Sequence, residues 1–146
     1  MKILQGEAFA VLKGLYEEAF VDKACPHYIN TIEKKRTFSD GAFSTGYLWD
    51  CLRSPKKETE QACLALLREK ETLYVFWDVH SKEQIWIPEY YKYPRHSCLQ
   101  FSPDELPALL PTLPEDVYFF DDSLTWTVIL THEDDGKRRY CLISLR

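Results

Sequence analysis

A chain of 146 residues is the size of one domain, and folding can bury about two thirds of its unfolded surface. Hydrophobic residues make up 45% and charged residues 28%, which excludes an intrinsically disordered protein. The net charge of −5 argues against a nucleic-acid partner, whose phosphates need Lys and Arg, and permits a basic protein as partner. No run of about 18 apolar residues is present, and polar residues interrupt the N-terminal segment. We therefore expect a cytoplasmic protein with no membrane partner.

Five cysteines are scattered along the chain without a C-x-x-C pair: Cys25, Cys51, Cys63, Cys98 and Cys141. An odd, widely spaced set is untypical of a disulfide framework, so we expect reduced and mostly buried thiols. The Cys-Pro-His and His-Ser-Cys stretches at 25–27 and 96–98 are spaced too tightly for a zinc knuckle. The sequence also lacks a glycine-rich phosphate loop, a nucleotide fingerprint and a nucleophile-elbow motif. We therefore expect neither a metal nor a cofactor.

The first third of the chain is predicted to be helical. Apolar residues recur at three- and four-residue spacing between Phe9 and Phe20, which indicates one amphipathic helix that ends before Pro26. A second, short helix is predicted within residues 44–54. Ser54 followed by proline then predicts the start of a third helix, with Ser54 as its N-cap.

From residue 72 the pattern becomes that of β-strands. The runs TLYVFWDV (72–79) and EQIWI (83–87) predict a hairpin, and the first is apolar on both faces, as central strands are. Residues 88–101 show no period. Ser102 and Glu105 match a capping box, and Pro107 predicts that the helix there is short or kinked.

Three strands are predicted at the C-terminus, over residues 117–120, 124–131 and 139–144. In the middle one, large apolar residues alternate with threonines, which predicts one buried and one wetter face. Turns are predicted at residues 121–123 and at Asp135-Gly136, where glycine takes a positive φ. The sum is a single α+β domain over residues 1–146, with the N-terminal helices packed on one face of a mostly antiparallel sheet of about four or five strands.

Two stretches, FSTGYLWDCLRS and DVYFFDDSLTWTVILTHEDDG, resemble a family of short bacterial proteins described only as a domain of unknown function. The family pattern is a G-Y-L-W-like helix, followed near the C-terminus by D-x-Y-x-x-D-x-x-x-x-W-T and T-H-E. The matching positions are Gly46, Tyr47, Leu48, Trp49, Asp116, Tyr118, Asp121, Trp126, Thr127, Thr131, His132 and Glu133. The resemblance covers most of the chain but implies no reaction. With its predicted C-terminal hairpin, this small acidic α+β chain also resembles bacterial toxin-immunity proteins. This second resemblance is one of general appearance only.

Acidic residues flank the predicted strand 124–131, with Asp121 and Asp122 before it and Glu133, Asp134 and Asp135 after it. The second cluster does not fit a calcium loop, because Thr131 and Leu142 would then stand at the first and last ligand positions. An acid–base pair is also excluded, because about ten residues of strand at about 3.3 Å each separate the clusters by roughly 30 Å. Most such carboxylates serve turns, and the functional alternative is an acidic surface that binds a partner.

Two further groups are candidates. Asp78 and His80 share a strand face, so the carboxylate could orient the imidazole for general-base catalysis, although no nucleophile is evident beside them. Tyr90, Tyr91 and Tyr93 lie among cations in the connection after the hairpin and could contact a partner, or could simply pack that connection.

Two hypotheses about function follow. The first is a non-enzymatic protein-binding module, immunity-like in kind, which presents the acidic loops or the aromatic connection to another protein. The second is a small hydrolase or transferase with an acid–base site around Asp78 and His80. A concave pocket with convergent polar groups favours the second, and a flat acidic patch with an apolar centre favours the first.

Overall fold

The computed structural model of the chain describes residues 1–34, 36–37, 43–79, 92–134, 136 and 138–146. Four residues that the sequence singled out, His80, Tyr90, Tyr91 and Asp135, lie outside these described residues, and so does the predicted strand 83–87. No helix within the described ranges is long and apolar enough to span a bilayer.

The described residues form an α+β fold around an antiparallel sheet. The strands are β1 (Lys2–Gln5), β2 (Arg36–Thr37), β3 (Phe43–Ser44), β4 (Lys56–Glu58), β5 (Leu73–Trp77), β6 (Ser97–Phe101), β7 (Val117–Phe120), β8 (Trp126–Asp134) and β9 (Arg139–Leu145). The α-helices are α1 (Gly6–Phe20), α2 (Pro26–Tyr28), α3 (Glu60–Arg68) and α4 (Leu106–Leu109). A π-helical turn (Ile29–Glu33) and 3₁₀ turns (Leu48–Cys51, Pro103–Glu105 and Leu110–Thr112) connect them.

The main sheet has seven strands in the order β1-β6-β5-β7-β8-β9-β4. The predicted antiparallel α+β class is confirmed, but the predicted size of four or five strands is too small. The strands of this sheet that the sequence did not reveal are β1, β4 and β6. The short edge strand β4 reads Lys-Lys-Glu, which has little β propensity, and it becomes a strand because it pairs with β9 from Lys56↔Ile143 to Glu58↔Cys141.

The helices lie on both faces of the sheet, so the prediction that they pack on one face is wrong. Leu73, Val75 and Trp77 of β5 share a core with residues of α3 and α4. Tyr74 and Phe76 of the same strand share a second core with α1 and the Leu48–Cys51 turn. Because β5 is buried at every residue, each face needs its own cover.

The third predicted helix starts later than expected. Ser54 has a φ of +47° and precedes β4 rather than a helix. Thr59 is the N-cap of α3, and its hydroxyl accepts a hydrogen bond of 3.1 Å from the backbone N–H of Ala62. The Ser-Pro pair does not start a helix here, because residues 56–58 instead pair with β9 along their whole length.

Strand β8 has no wetter face over its first six residues, so that prediction is also wrong. Residues 126–131 are all buried, including Thr127 and Thr131. Their hydroxyls are satisfied internally: Thr127 donates to the Phe119 carbonyl at 2.9 Å, and Thr131 donates to the Tyr140 carbonyl at 2.7 Å. Threonine can therefore face a second core here without leaving an unpaired polar group.

Candidate functional site

The end of β5 lies beside the beginning of β7, because the two strands are antiparallel and Trp77 pairs with Val117. The residues just beyond this pair are Asp78 and Asp116, and the backbone N–H of Asp78 donates to the Asp116 carbonyl at 3.2 Å. Strand β8 continues past its pairing of Leu130 with Val117 to His132. Three strands thus bring two aspartates and a histidine to one end of the sheet.

Asp116 is buried and serves as an acceptor for two other residues. Its Oδ1 atom accepts from the indole Nε1 of Trp49 at 3.1 Å and from the backbone N–H of His132 at 3.0 Å. The Nδ1 atom of His132 lies 3.0 Å and 3.1 Å from the two Asp116 oxygens. Burial lowers the pKa of His132, but the hydrogen bond and the charge of Asp116 outweigh it and raise that pKa above its usual value. The carboxylate therefore fixes the orientation of the ring and favours its protonated form.

Aromatic rings surround this histidine. The ring centroid of Tyr47 lies 4.8 Å from that of His132 and stacks at 5.4 Å on Trp49, and Trp49 lies 5.9 Å from Tyr140. Trp49 is buried beneath the others, whereas Tyr47 and Tyr140 are half-buried and His132 is exposed. The 3₁₀ turn that carries Trp49 is held to the sheet, because its backbone N–H donates to the Tyr118 hydroxyl at 2.9 Å.

Two exposed carboxylates, Asp50 and Glu133, lie close enough to His132 for their charges to interact with it. Burial raises the pKa of Asp50, and the nearby charge of Glu133 raises it further, while His27 and His132 act in the opposite direction. We call the surface formed by Tyr47, Asp50, His132, Glu133 and Tyr140 the His132 face.

Asp78 is half-buried and is in contact with Tyr118. The Tyr118 hydroxyl donates to Asp78 Oδ2 at 2.5 Å, and Tyr118 stacks on Phe76 with centroids 4.8 Å apart. Burial raises the pKa of Asp78 to about 7, although the hydrogen bond from Tyr118 and the charge of Lys13 act to lower it. The carboxyl group is therefore able to gain or lose a proton near neutral pH.

A cavity of about 200 Å³ opens beside Asp78. Its polar walls include Lys13 and Glu17 of α1, Asp78, Arg95 and His96. The imidazole that the structure brings to the same cavity as Asp78 is thus that of His96, while the predicted partner His80 lies outside the described residues.

The first acidic cluster forms a turn, as predicted. Asp121 Oδ1 accepts from the Ser123 backbone N–H at 2.9 Å, and Asp121 Oδ2 accepts from the Trp126 indole at 2.8 Å. Both of its oxygens are thus engaged within the hairpin, and Asp122 beside it is exposed.

The second acidic cluster lies at the opposite end of β8. Asp134 Oδ1 accepts from the Gly136 backbone N–H at 2.8 Å, and Gly136 has the predicted positive φ, of +87°. Glu133 is exposed, beside His132. Tyr93 is buried in the core with its hydroxyl 3.1 Å from that of Thr112, so it packs the connection and presents little surface to a partner.

The residues that sequence reasoning did not combine are Trp49, Asp116, Tyr118 and His132. They come from three separate parts of the chain and converge because β7 and β8 are neighbours and the Leu48–Cys51 turn is hydrogen-bonded to Tyr118 and Asp116. The one signal that marked them was the resemblance, whose G-Y-L-W, D-x-Y and T-H-E motifs contribute all four. Within the described ranges, no group of three His, Cys, Asp or Glu side chains is placed to hold a metal ion.

No protein-family model matches this chain, and no curated protein or solved structure is significantly similar to it. The resemblance to the family of unknown function therefore stays a prediction. The class that fold and site define is an α+β protein with a seven-stranded antiparallel sheet, a partly exposed aromatic and histidine cluster at one end, and a cavity with charged walls.

Proposed function

We propose that this protein is a non-enzymatic protein-binding module, immunity-like in kind, that acts in the cytoplasm and presents the His132 face to a basic partner. The observation that carries the proposal is the contact of His132 with Tyr47, over the buried Asp116–Trp49 hydrogen bond and next to the carboxylates of Asp50 and Glu133. It combines an aromatic centre with an acidic edge, which is the arrangement expected of a site for a basic protein.

The aromatic part of this face is held in place before any partner arrives. His132 is fixed by its contacts with Asp116, and Tyr47 is stacked on a tryptophan whose indole N–H is also bonded to Asp116. Rings that are already ordered lose little conformational entropy on binding, and large aromatic residues are common among the contacts that dominate binding energy.

The charge of the face favours a cationic group in the partner. Glu133 raises the pKa of Asp50, which means that the two carboxylates repel each other across the face. A lysine or arginine between them would relieve this repulsion and could lie over a tyrosine ring. Within the chain, Lys57 already takes such a position, 5.2 Å from the centroid of Tyr140.

The same geometry gives less support to catalysis by His132. A histidine that acts as general base for a nucleophile is hydrogen-bonded to it, and no described Ser, Thr or Cys side chain is hydrogen-bonded to His132. The Asp116–His132 pair therefore supports an ordered surface better than an activated nucleophile.

The test is to capture partners from the cell that makes this protein and then to measure binding with purified proteins. The variant Asp50→Asn/Glu133→Gln should slow association of a basic partner about tenfold at low salt, and the difference should shrink near 1 M salt, where screening acts over about 3 Å. Tyr47→Ala should instead speed dissociation, because it removes an ordered contact.

The matched control is the pair Glu71→Gln/Asp122→Asn, two exposed carboxylates near the opposite end of β8, with the same loss of charge. Each variant must first show wild-type unfolding. An association rate that is unchanged in Asp50→Asn/Glu133→Gln contradicts the proposed face. If association is slowed only in the control pair, the acidic contact lies at the other end of the sheet.

A second candidate function, the acid–base site, is favoured by one observation: Asp78 has a pKa of about 7 and borders the same cavity as His96. It replaces the pairing with His80 by one with His96. Hydrolysis of p-nitrophenyl acetate and p-nitrophenyl phosphate would test it, with rates that fall in both Asp78→Asn and His96→Gln. Equal rates in these variants and the wild type contradict it.

A further inference from the structure

The cavity beside Asp78 has charged groups of both signs on its walls. Lys13 and Arg95 are cationic, and Glu17 and Asp78 are acidic. The Nζ atom of Lys13 lies 3.9 Å from Oε1 of Glu17, which is one helical turn further along α1. The charge of Lys13 also lowers the pKa of Asp78. The cationic and acidic groups are therefore close enough to contact one small molecule at the same time.

Asp78 is held in one orientation at this cavity. Its Oδ2 atom accepts from the Tyr118 hydroxyl, its backbone N–H donates to the Asp116 carbonyl, and the backbone N–H of Leu48 stabilises the carboxylate. The carboxylate borders the cavity as part of a rigid network that joins the sheet to the Leu48–Cys51 turn. A preorganised group of this kind is typical of ligand sites, because it needs no ordering when the ligand binds.

Glu17 and Lys13 both line the cavity. The Glu17 side chain is largely buried, at 17% exposure, and is held between Lys13 and Lys23, whose Nζ lies 3.3 Å from it. Lys13 is 41% exposed, so its ammonium group can reach both the solvent and the cavity. The flexible lysine stem allows it to follow a bound carboxylate.

The remaining walls are largely apolar and include Phe9, Ile32 and Leu48. A volume of about 200 Å³ is below the range of roughly 300–1,000 Å³ that holds drug-sized ligands, so the ligand must be small. A ligand that matches these walls carries an anionic group to contact Lys13 and Arg95, a cationic group to contact Asp78 and Glu17, and a short apolar part for the other wall.

We propose that this cavity binds a small zwitterion of the amino-acid class, with its carboxylate towards Lys13 and Arg95 and its ammonium group towards Asp78 and Glu17. The site is independent of the His132 face, so the failure of either proposal leaves the other in place. Binding of this kind also requires no turnover.

The experiment uses the whole chain and L-valine as the first probe, followed by the other apolar amino acids, in calorimetry and thermal unfolding. Two compounds of matched shape separate the charges: isovaleric acid lacks the ammonium group of valine, and isobutylamine lacks its carboxylate. We expect at least one amino acid to bind with a Kd of about 1 mM or lower and to raise the Tm at saturation. Its two matched compounds should bind at least tenfold more weakly.

Variants connect that binding to this cavity. Lys13→Met keeps the apolar stem on an exposed part of α1, and it should weaken amino-acid binding at least tenfold without altering folding. Asp78→Asn should weaken amino-acid binding to the same extent, and Lys56→Met, on the edge strand β4, is the control that should leave binding unchanged. The proposal is overturned if no amino acid binds, if isovaleric acid binds as tightly as valine, or if Lys13→Met binds like the wild type.

Discussion

Asp116 holds His132 at two points, since the same carboxylate accepts the histidine backbone N–H at 3.0 Å and contacts its ring Nδ1 at 3.0 Å. The first contact ties β8 to the residue before β7, and the second sets the direction of the ring. Because Asp116 also accepts the Trp49 indole, one buried carboxylate links two strands to the 3₁₀ turn. A group with this many partners cannot be neutralised without affecting all of them.

Replacing Asp116 by Asn should lower the pKa of His132, because the negative charge that favours its protonated form is removed. The resonance of the His132 ring Hε1 proton, followed by NMR against pH, measures this directly. The change should also cost about 1–3 kcal/mol of unfolding free energy, since a hydrogen bond to a charged group is lost. A His132 titration that is identical in the two proteins would show that the pair carries no charge interaction.

The wild-type protein should lose stability as the pH rises past the His132 titration. The pKa of His132 is raised on folding, so its contribution is complete below the unfolded value of about 6.5 and disappears as the pH rises through the folded value. His132→Gln should remove this part of the pH dependence in urea unfolding. If the difference in stability between the two proteins is the same at every pH, the imidazole charge has no role in folding.

Asp78 should also make the protein less stable as the pH rises. Its pKa is raised from 3.8 to about 7, so between these values the folded protein keeps a proton that the unfolded chain has released, and stability falls until about pH 7. At about 1.4 kcal/mol per pKa unit, the difference between the folded and unfolded pKa of Asp78 lowers the free energy of unfolding by at most about 4 kcal/mol.

Asp78→Asn imitates the protonated carboxyl, so it should match the wild type near pH 4 and exceed it in stability near pH 8. Urea unfolding across this range measures the effect, and Asp104→Asn, at an exposed carboxylate, is the control. If Asp78→Asn is less stable than the wild type at pH 8, the fold stabilises the ionised Asp78 carboxylate, and its burial does not destabilise it.

The C-terminal part of the fold was the most predictable from sequence. Strand β7 begins and ends at the predicted residues, and the turns at Asp121 and Gly136 are where the turn residues indicated. Short strands bounded by Asp, Ser and Gly carry their signal locally, so no distant contact is needed to recognise them.

The rest depends on contacts between distant segments. Strand β6 lies at the end of a stretch with prolines and no period, yet it is an interior strand because it pairs with both β1 and β5. The candidate site is similar, since the partners of Asp116 come from residues 49 and 132. No local pattern can report the strand order that places them together. The resemblance marked these positions without giving their arrangement.

Glycine is required at position 46 because the backbone there approaches Thr31 and His27 closely. A Cβ atom at this position would overlap the Thr31 hydroxyl and lie 2.9 Å from His27 Nε2. Gly46→Ala should therefore destabilise the protein by about 1–3 kcal/mol by forcing the segment that carries Tyr47 and Trp49 away from the π-helical turn. Gly14→Ala is the control, because that Cβ would meet nothing within 4 Å and alanine favours the helix. Equal stabilities for the two variants would contradict the tight packing at Gly46.

The last prediction concerns Trp126, which is 4% exposed and packs in the core beneath α3. Trp126→Ala should destabilise the protein by about 3–5 kcal/mol, because it leaves a cavity in that core. Its indole also donates to Asp121 at 2.8 Å, so Trp126→Phe should keep most of the packing and lose about 1 kcal/mol for the hydrogen bond. Equilibrium unfolding in urea ranks the variants, with Lys56→Met on the edge strand as a control that should change little. If the alanine variant unfolds like the wild type, the face of β8 that carries Trp126 and Val128 does not contribute to the core as the packing indicates.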